Sequence, residues 1–545
     1  MKKTLALLLA LVLVLGMFTA CAKQSETETT TDPATSTTED TTTPEVSFDD
    51  DAEKPTTLSD ETVTIALSAE PNTLIPAVAF TSNDVSLVMR MMYEPLIAQD
   101  YESAELSDTG LALSWEDVDD TSFRLTLRQG VKFTNGQELT TADVVYLIQE
   151  GQKGAMATYF TIFDLENSTV EDDYNIVLKL SQPWAQAKEL LAYNYYMIPC
   201  ASSLEEIGGA ATTTQYMENA GTGKYVFKEW VPGEYIMLER NENYWNQEDM
   251  GYFKNVKFVF INDATARAMA VKAGDVDIAT GVNLSDYALY SVDDTVRTVL
   301  LPQNNVSTLF LNSAEGKPLN DVRVREAIYW LVDKAALQAV GASGFGELCD
   351  TIIAKGGPMW DGIDESSTKV VDVEKAKSLL AEAGYPDGLT LVLRGNSSTA
   401  TATLLQEQLR AGGIDMQIVT AETPVHFAAL AEGDFDMYIS SQQYSYYTEA
   451  VRCTDGLTYS FADVMGGCGY QNEEYSEICA RCYATSDLEE RKAAYADLQA
   501  MFREQFVSIG LYTNVVMSLT RSDIAGIDLF GLGIYDCSSI YSTNG

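Results

Sequence analysis

The pattern of apolar and polar residues divides the chain into three parts. An apolar run over residues 5–17 follows Lys2 and Lys3 and is too short to cross a bilayer comfortably. Residues 22–58 are rich in Thr, Glu and Asp, with almost no large apolar side chains, so they cannot bury enough surface to fold. Beyond Thr62, strand and helix patterns alternate to the end. We expect a signal peptide over 1–20, a lipidated cysteine and disordered linker over 21–58, and a folded α/β body beyond them.

Individual elements follow from local periodicity. The run Val63–Leu67 predicts a first strand, and Phe123–Leu127 alternates as a half-buried antiparallel strand should. Thr140 and Asp143 form a capping pair at the start of a predicted helix.

A weak repeat is the most informative internal pattern. Residues 256–261 predict a strand, 264–273 a helix, and the turn Gly274-Asp275-Val276-Asp277 leads into another strand. The same order returns in 415–419, 424–432 and Gly433-Asp434-Phe435-Asp436. Both copies are predicted β-α-β units with a glycine at the helix C-terminus. They indicate two related α/β lobes, unless two ordinary β-α-β units merely resemble each other.

The net charge of the chain excludes some classes of binding partner. The 545 residues carry 80 Asp and Glu against 35 Lys and Arg, a formal charge of −45. Such a field repels phosphate backbones and anionic lipid surfaces, so nucleic acid is not an expected partner. Solubility is the simplest explanation of the acidity.

The segment Phe18-Thr19-Ala20-Cys21 resembles the lipobox of bacterial lipoproteins, with Phe18 where Leu is usual. The resemblance implies lipid attachment at Cys21 and cleavage before it, and two acyl chains would anchor the chain stably to the outer face of the cytoplasmic membrane. The alternative is an ordinary secretory signal with an incidental cysteine.

Seven further cysteines leave room for disulfides with at least one free thiol. They are Cys200, Cys349, Cys453, Cys468, Cys479, Cys482 and Cys537. Cys479 and Cys482 form C-x-x-C inside a helical pattern, 473–484, without a second ligand pair, so packing or a structural bridge is expected there rather than zinc binding or redox chemistry.

Several segments resemble the extracellular solute-binding proteins, family 5, that serve peptide and nickel ABC importers. The most specific is 125–136 followed by 139–145 (LTLRQGVKFTNG, LTTADVV). The other matches are 92–97 (MYEPLI), 111–116 (LALSWE), 221–230 (GTGKYVFKEW, with Lys224 where proline is usual), 240–245 (RNENYW), 320–328 (NDVRVREAI) and 374–385 (EKAKSLLAEAGY).

This resemblance implies a two-lobed, periplasmic-binding-protein-like type II fold with an extra subdomain in the first lobe. The expected lobe I core is 59–93, 217–306 and 512–545, the extra subdomain is 94–216, and lobe II is 307–511. It also implies a ligand enclosed between the lobes, permease and ATPase partners, and a monomer.

Ligands in open α/β sheets bind beyond the carboxyl ends of strands, and three segments leave predicted strands there. The first supplies Glu70, Asn72 and Thr73, directly after the first strand. The second supplies Arg394, Asn396 and Ser397, where an arginine beside a helix start suits a carboxylate. The third is tyrosine-rich and suits a pocket wall; it supplies Gln442, Gln443, Tyr444, Tyr446, Tyr447 and Glu449. The alternatives are an ordinary N-cap with a surface arginine and a tyrosine-rich lid on its own lobe.

Peptide-binding relatives usually carry an Asp in the third segment, which pairs with the peptide ammonium group. This chain has none between Asp436 and Asp455, and Glu449 is the available substitute. A nickel ligand is less expected, since His426 is the single histidine and is predicted on a helix surface.

Three other function classes stay open. A non-peptide solute such as a sugar or nickel chelate would suit the same fold, as would a surface sensor or adhesin. A surface hydrolase is less expected because G-x-S-x-G, H-E-x-x-H and P-loop motifs are missing from the sequence. We therefore expect no catalytic residues, no metal site and no cofactor.

Overall fold

The computed structural model describes residues 55–76, 83–99, 106–153, 157–184, 186–206, 208–209, 221–366, 368–395, 399–442, 448–461, 464, 466–485, 487–530 and 534–544. The predicted signal peptide, Cys21 and most of the linker lie outside these residues. Within the described residues, no helix is long and apolar enough to cross a membrane.

The strands run in chain order as follows: β1 Thr62–Leu67, β2 Ala98–Gln99, β3 Leu106–Ser107, β4 Ala112–Asp119, β5 Ser122–Leu127, β6 Thr169–Val170, β7 Asn175–Lys179, β8 Tyr225–Val231, β9 Tyr235–Arg240, β10 Asn255–Phe260, β11 Ile278–Val282, β12 Val296–Leu311, β13 Leu389–Gly395, β14 Ile414–Thr420, β15 Met437–Gln442, β16 Ser508–Arg521, β17 Ile524–Ala525, β18 Asp528–Phe530, β19 Ile534–Asp536 and β20 Tyr541–Ser542.

The α-helices are α1 Asn83–Met92, α2 Thr141–Gly151, α3 Ala157–Phe160, α4 Ala187–Leu190, α5 Ala201–Glu206, α6 Ala264–Ala273, α7 Tyr287–Tyr290, α8 Val322–Leu331, α9 Lys334–Gly341, α10 Val373–Glu382, α11 Ala400–Ala411, α12 Thr423–Ala431, α13 Thr448–Thr454, α14 Glu473–Ala484 and α15 Leu488–Gln505. Short 3-10 helices cover Asn194–Tyr196, Leu284–Asp286 and Pro318–Asn320.

Ten strands form one sheet in the order β14-β13-β15-β12-β16-β11-β1-β10-β9-β8. Its first half comprises β11, β1, β10, β9 and β8, and its second half comprises β14, β13 and β15. A separate four-stranded sheet, β4-β5-β7-β6, belongs to the segment between β1 and β8. The predicted strand over 123–127 is confirmed as β5, antiparallel to β4 and β7.

The predicted repeat is confirmed, with one feature that the sequence did not reveal. In the first copy, β10 and β11 both pair in parallel with β1, which lies between them. In the second copy, β14 and β15 both pair in parallel with β13. Each β-α-β unit therefore encloses a third parallel strand, and the two halves of the sheet have the same core arrangement.

The helix of the first copy shows why its bounds were predictable. Asp263 caps its N-terminus by accepting a hydrogen bond from the backbone N–H of Ala266 at 2.8 Å. Gly274 ends it in the left-handed conformation, with φ of 77°, which glycine adopts without steric cost.

The strands β12 and β16 connect the two halves. They pair from Val296 with Arg521 to Phe310 with Ser508, and the register breaks between Pro302 and Val306. At the break, the side-chain amide of Asn514 donates to Oδ1 of Asn305 at 2.6 Å. This segment, 302–306 with 513–515, is called the crossover below.

Apolar residues pack on both faces of each half. Along β12, Leu309 and Leu311 join one buried cluster and Phe310 joins another, as strand alternation requires. In the first half, Ile65 and Ala66 of β1 likewise point to different clusters. The result is helices on both faces of the sheet, a three-layer α/β arrangement.

Candidate functional site

The carboxyl ends of the parallel strands converge on the crossover from both sides. In the first half, Ile278 of β11 lies opposite Thr520 and Val282 lies opposite Met517, so β11 runs toward the crossover. In the second half, Met437 of β15 lies opposite Leu311 and Gln442 lies opposite Val306, so β15 also runs toward it. Since β1 and β10 parallel β11, and β13 and β14 parallel β15, all of these strands run toward the crossover. This is the position at which α/β sheets bind ligands.

A buried carboxylate fixes the loop after β1. Asp84, at the start of α1 and 7% exposed, accepts hydrogen bonds from the backbone N–H groups of Ser68 at 2.8 Å and Ala69 at 3.3 Å. It also accepts from the hydroxyl of Ser68 and, at 3.1 Å, from that of Thr280 on β11. The loop is therefore held to two strand ends at once.

Replacing Asp84 with alanine is expected to lower the free energy of unfolding by about 1–3 kcal/mol, because four donors, including the buried hydroxyl of Thr280, lose their acceptor. Urea denaturation measures this. Asp84→Asn, which keeps one acceptor oxygen, should lose less than Asp84→Ala. Equal stability of all three proteins would show that this carboxylate does not hold the loop.

The first predicted segment divides between anchored and exposed side chains. The Glu70 carboxylate accepts from Nε1 of Trp230 at 2.8 Å and from the backbone N–H of Gly233 at 3.0 Å. Thr73 is buried and accepts from the backbone N–H of Ile75. Asn72 is exposed. Glu70 and Thr73 thus have partners within the first half, although Glu70, like Asn72, is exposed.

The second predicted segment leaves β13 as expected. Arg394 pairs with Asp434, contacting both its carboxylate and its backbone carbonyl. Thr399 caps α11 by accepting from the backbone N–H of Ala402 at 3.0 Å. Asn396 and Ser397 lie outside the described residues. Asp434, which is 66% exposed, precedes β15 at its amino end, so the guanidinium of Arg394 reaches away from the crossover to its present counter-ion.

His426 was predicted on the surface and this is wrong. Its side chain is 9% exposed and its ring lies 5.6 Å from that of Phe427. Burial lowers the pKa of His426, and the charge of Arg394 lowers it further. The periodicity of the short helix α12 did not show which face would be covered.

The third predicted segment begins at the end of β15, where the backbone of Gln442 pairs with Val306 beside the crossover. Glu449 lies in α13. Gln443, Tyr444, Tyr446 and Tyr447 lie outside the described residues. For Gln442 and Glu449 the structure describes the backbone and not the side chain.

The structure brings together three side chains that the sequence reasoning missed. Trp184, between β7 and α4, stacks on Tyr483 of α14 with ring centroids 5.7 Å apart and planes at 22°. The guanidinium of Arg452, in α13, lies 5.7 Å from the centre of the Trp184 ring. The sequence offered no signal for this contact, because about 270–300 positions separate its members.

A charged cavity of about 260 Å³ lies in the first half. It contains Lys224, the residue that departs from the family pattern, whose ammonium pairs with Asp249 at 2.8 Å and donates to Ser539 at 2.9 Å. Burial raises the pKa of Glu94 in its wall, and hydrogen bonds from Tyr244 and Trp245 oppose that rise. These groups partner one another, and Arg90 of α1 pairs with Asp536 of the C-terminal segment at 3.5 Å in the same cavity.

The chain is similar to known solute-binding proteins. A family model described as bacterial extracellular solute-binding proteins, family 5 Middle, matches residues 108–458. The chain is 25% identical over 482 residues to the nickel-binding periplasmic protein of Escherichia coli K12, covering 82% of this chain and 88% of that protein.

Two solved structures share the fold. One is the ABC transporter-associated periplasmic binding protein DppA from Helicobacter pylori in complex with the peptide STSA, with a TM-score of 0.74, 21% identity, and coverage of 89% and 99% of the two chains. The other is NikA from Brucella suis in complex with Fe(III)-EDTA, with a TM-score of 0.76, 21% identity, and coverage of 89% and 100%. The predicted two-lobed type II fold is confirmed, and the two halves of the sheet are hereafter called lobes I and II.

Proposed function

The chain belongs to the bacterial extracellular solute-binding proteins of family 5, and on that premise we propose that it captures peptides, or a similar small solute, in the cleft between its lobes. Delivery to the permease and ATPase subunits of an ABC importer follows in this proposal. The anchor is lipid on Cys21, with the 21–58 segment as a tether, and the working unit is a monomer.

The observation that carries the proposal is the convergence of strand ends from both lobes on one crossover. The strands β12 and β16 both pass through the crossover, and the register of their pairing shifts there. A hinge needs a local irregularity of this kind. A solute held by loops from both lobes would be enclosed when the lobes approach. Closure of this kind supplies affinity through burial and a few charge-assisted hydrogen bonds.

Arg394 supports a carboxylate-bearing ligand. The peptide of the DppA complex and the EDTA of the NikA complex are different molecules, but both carry carboxylates. In our proposal Arg394 leaves its exposed partner Asp434, turns toward the crossover and binds a ligand carboxylate. Glu70 and Thr73 support the wall of the proposed site. Its remaining members are Asn72, Asn396, Ser397, Gln442, Gln443, Tyr444, Tyr446, Tyr447 and Glu449.

The relatives described above are binding proteins, and we propose that this chain also binds without turnover. Isothermal titration calorimetry with two- to five-residue peptides tests binding, and mass analysis of the same peptides after incubation tests cleavage. Stoichiometric binding with intact peptides is the expected result. Cleavage would indicate a hydrolase, and binding of sugars or nickel chelates but no peptide would replace the proposed ligand class.

Replacing Arg394 with alanine is expected to weaken binding of peptides with a free carboxyl terminus by about 1.5–3 kcal/mol, because a charge-assisted hydrogen bond is lost. Calorimetry with C-terminally amidated peptides is the control, since these should bind both proteins alike.

Asp434→Ala is the matched variant. It removes the present counter-ion and leaves the guanidinium available, so affinity for the carboxylate peptides should hold or rise. An unchanged affinity in Arg394→Ala would remove Arg394 from the site.

A further inference from the structure

The lobes meet at a second place, remote in sequence from the crossover. Trp184 belongs to the segment predicted as the extra subdomain of lobe I, and Tyr483 and Arg452 belong to lobe II. This contact joins the two segments through side chains, whereas the crossover joins the lobes through continuous strands. It must therefore break when the lobes separate.

This contact is well buried. Trp184 and Tyr483 are each 8% exposed, and Arg452 is 9% exposed. The Arg452 guanidinium contacts two rings, with its central carbon 5.7 Å from the centre of the Trp184 ring and 4.9 Å from that of the Tyr459 ring. Stacked aromatic rings and a desolvated guanidinium over a ring are both attractive. Separation of the lobes would expose this apolar area to water.

A pair of opposite charges lies on the elements that flank the contact. Glu189 is in α4, five residues after Trp184, and Arg491 is in α15, eight residues after Tyr483. Burial raises the pKa of Glu189, and the attraction of Arg491 opposes that rise. Glu189 and Arg491 thus add an attraction between charges on the helices next to the ring contact.

We propose that Trp184, Arg452 and Tyr483 form a clasp, a contact between the extra subdomain and lobe II that holds the lobes closed and slows the release of solute. The clasp rests on the proposed function for its purpose, but its contacts require no ligand. A contact present in the closed arrangement and lost in the open one shifts the population toward closure by its own free energy. Trp184 therefore acts on the balance between the open and closed lobes, as a positioning residue that need not touch the solute.

The test uses the full chain freed of solute by unfolding and refolding. Small-angle X-ray scattering measures the radius of gyration of the ligand-free wild type, Trp184→Ala and Trp115→Ala. Trp115 is a tryptophan of the same subdomain, on β4, and its substitution is the matched control. We expect Trp184→Ala to have a larger radius than the wild type, and Trp115→Ala to match the wild type. Trp184→Phe, which keeps a ring against Tyr483, should restore most of the compaction.

Stopped-flow release of the tetrapeptide STSA supplies the kinetic readout. Release from Trp184→Ala should be about tenfold faster than from the wild type, with a smaller change in association rate. Equal radii for wild type and Trp184→Ala would overturn the clasp. Weaker STSA binding with an unchanged ligand-free radius would also overturn it, because Trp184 would then be a ligand contact. Failure of the wild type to bind STSA would count against the peptide proposal alone, since scattering decides the clasp without a ligand.

Discussion

Replacing Arg267 with alanine is expected to lower the free energy of unfolding by about 3–5 kcal/mol. The guanidinium, 3% exposed, donates to the backbone carbonyls of Thr280 and Gly281 at 2.9 and 2.5 Å, after the middle of β11. It also donates to the carbonyls of Ile261 and Asn262 at 2.7 and 2.9 Å, just beyond β10. Removal of the side chain leaves these acceptors buried without their donor.

The Arg267 substitution is also expected to affect ligand binding. Its partners are the carbonyls at the cleft ends of two strands, so the same substitution should also loosen the loops that line the proposed site. Chemical denaturation measures the stability, and peptide calorimetry measures the site. Lys272→Ala, an exposed change on the same helix that removes a pair with Asp293, is the control and should cost under about 1 kcal/mol. A loss in Arg267→Ala no larger than in the control would contradict this role.

Replacing Arg325 with alanine is expected to destabilise lobe II by a similar amount, about 3–5 kcal/mol. Arg325 is 1% exposed and donates to the carbonyl of Gln505, the last residue of α15, at 3.0 and 2.8 Å. Its other nitrogen donates to the carbonyls of Leu319 and Asn320 at 2.8 and 2.9 Å. The arginine therefore joins the end of one helix to the turn before another.

Urea denaturation followed by fluorescence tests the Arg325 prediction. Arg323→Ala is the matched control, since Arg323 lies two residues earlier in α8, is 45% exposed and pairs with Asp321. Its loss should cost under about 1 kcal/mol. Comparable stability of the two variants would show that the buried carbonyls find other donors.

The sequence predicted elements best where the signals were local. The helices over 264–273 and 473–484 have the expected bounds. The first has Asp263 as its N-cap and Gly274 at its C-terminus, and the second begins after Asn472, whose side chain accepts from the backbone N–H of Tyr475 at 2.9 Å. Cys479 and Cys482 face inward from the second helix as buried free thiols, so the packing interpretation fits them.

Strand order could not be predicted in the same way. Nothing in the local pattern of 255–282 indicates that β1, about 190 residues earlier in the chain, lies between β10 and β11. Pairing of this kind depends on long-range contacts, which a local period does not encode. The repeat nevertheless predicted that both halves would be built alike.

The sequence predicted where in the fold the candidate site would lie better than it predicted which partners its side chains would have. The strand-end rule found the three segments, and the structure places the strands before them so that they run to one crossover. It could not show that Glu70 would be held by Trp230 or Arg394 by Asp434, since each pair is formed between distant segments. The contact of Trp184 with Tyr483 was missed for the same reason.

Native mass spectrometry of the protein as purified tests the central claim most directly. We predict a bound species whose mass matches one or a few short peptides, released when the protein is unfolded and lost or much reduced in Arg394→Ala. A ligand with no carboxylate, or a species that stays attached to Arg394→Ala at the same level, would contradict the account of the site.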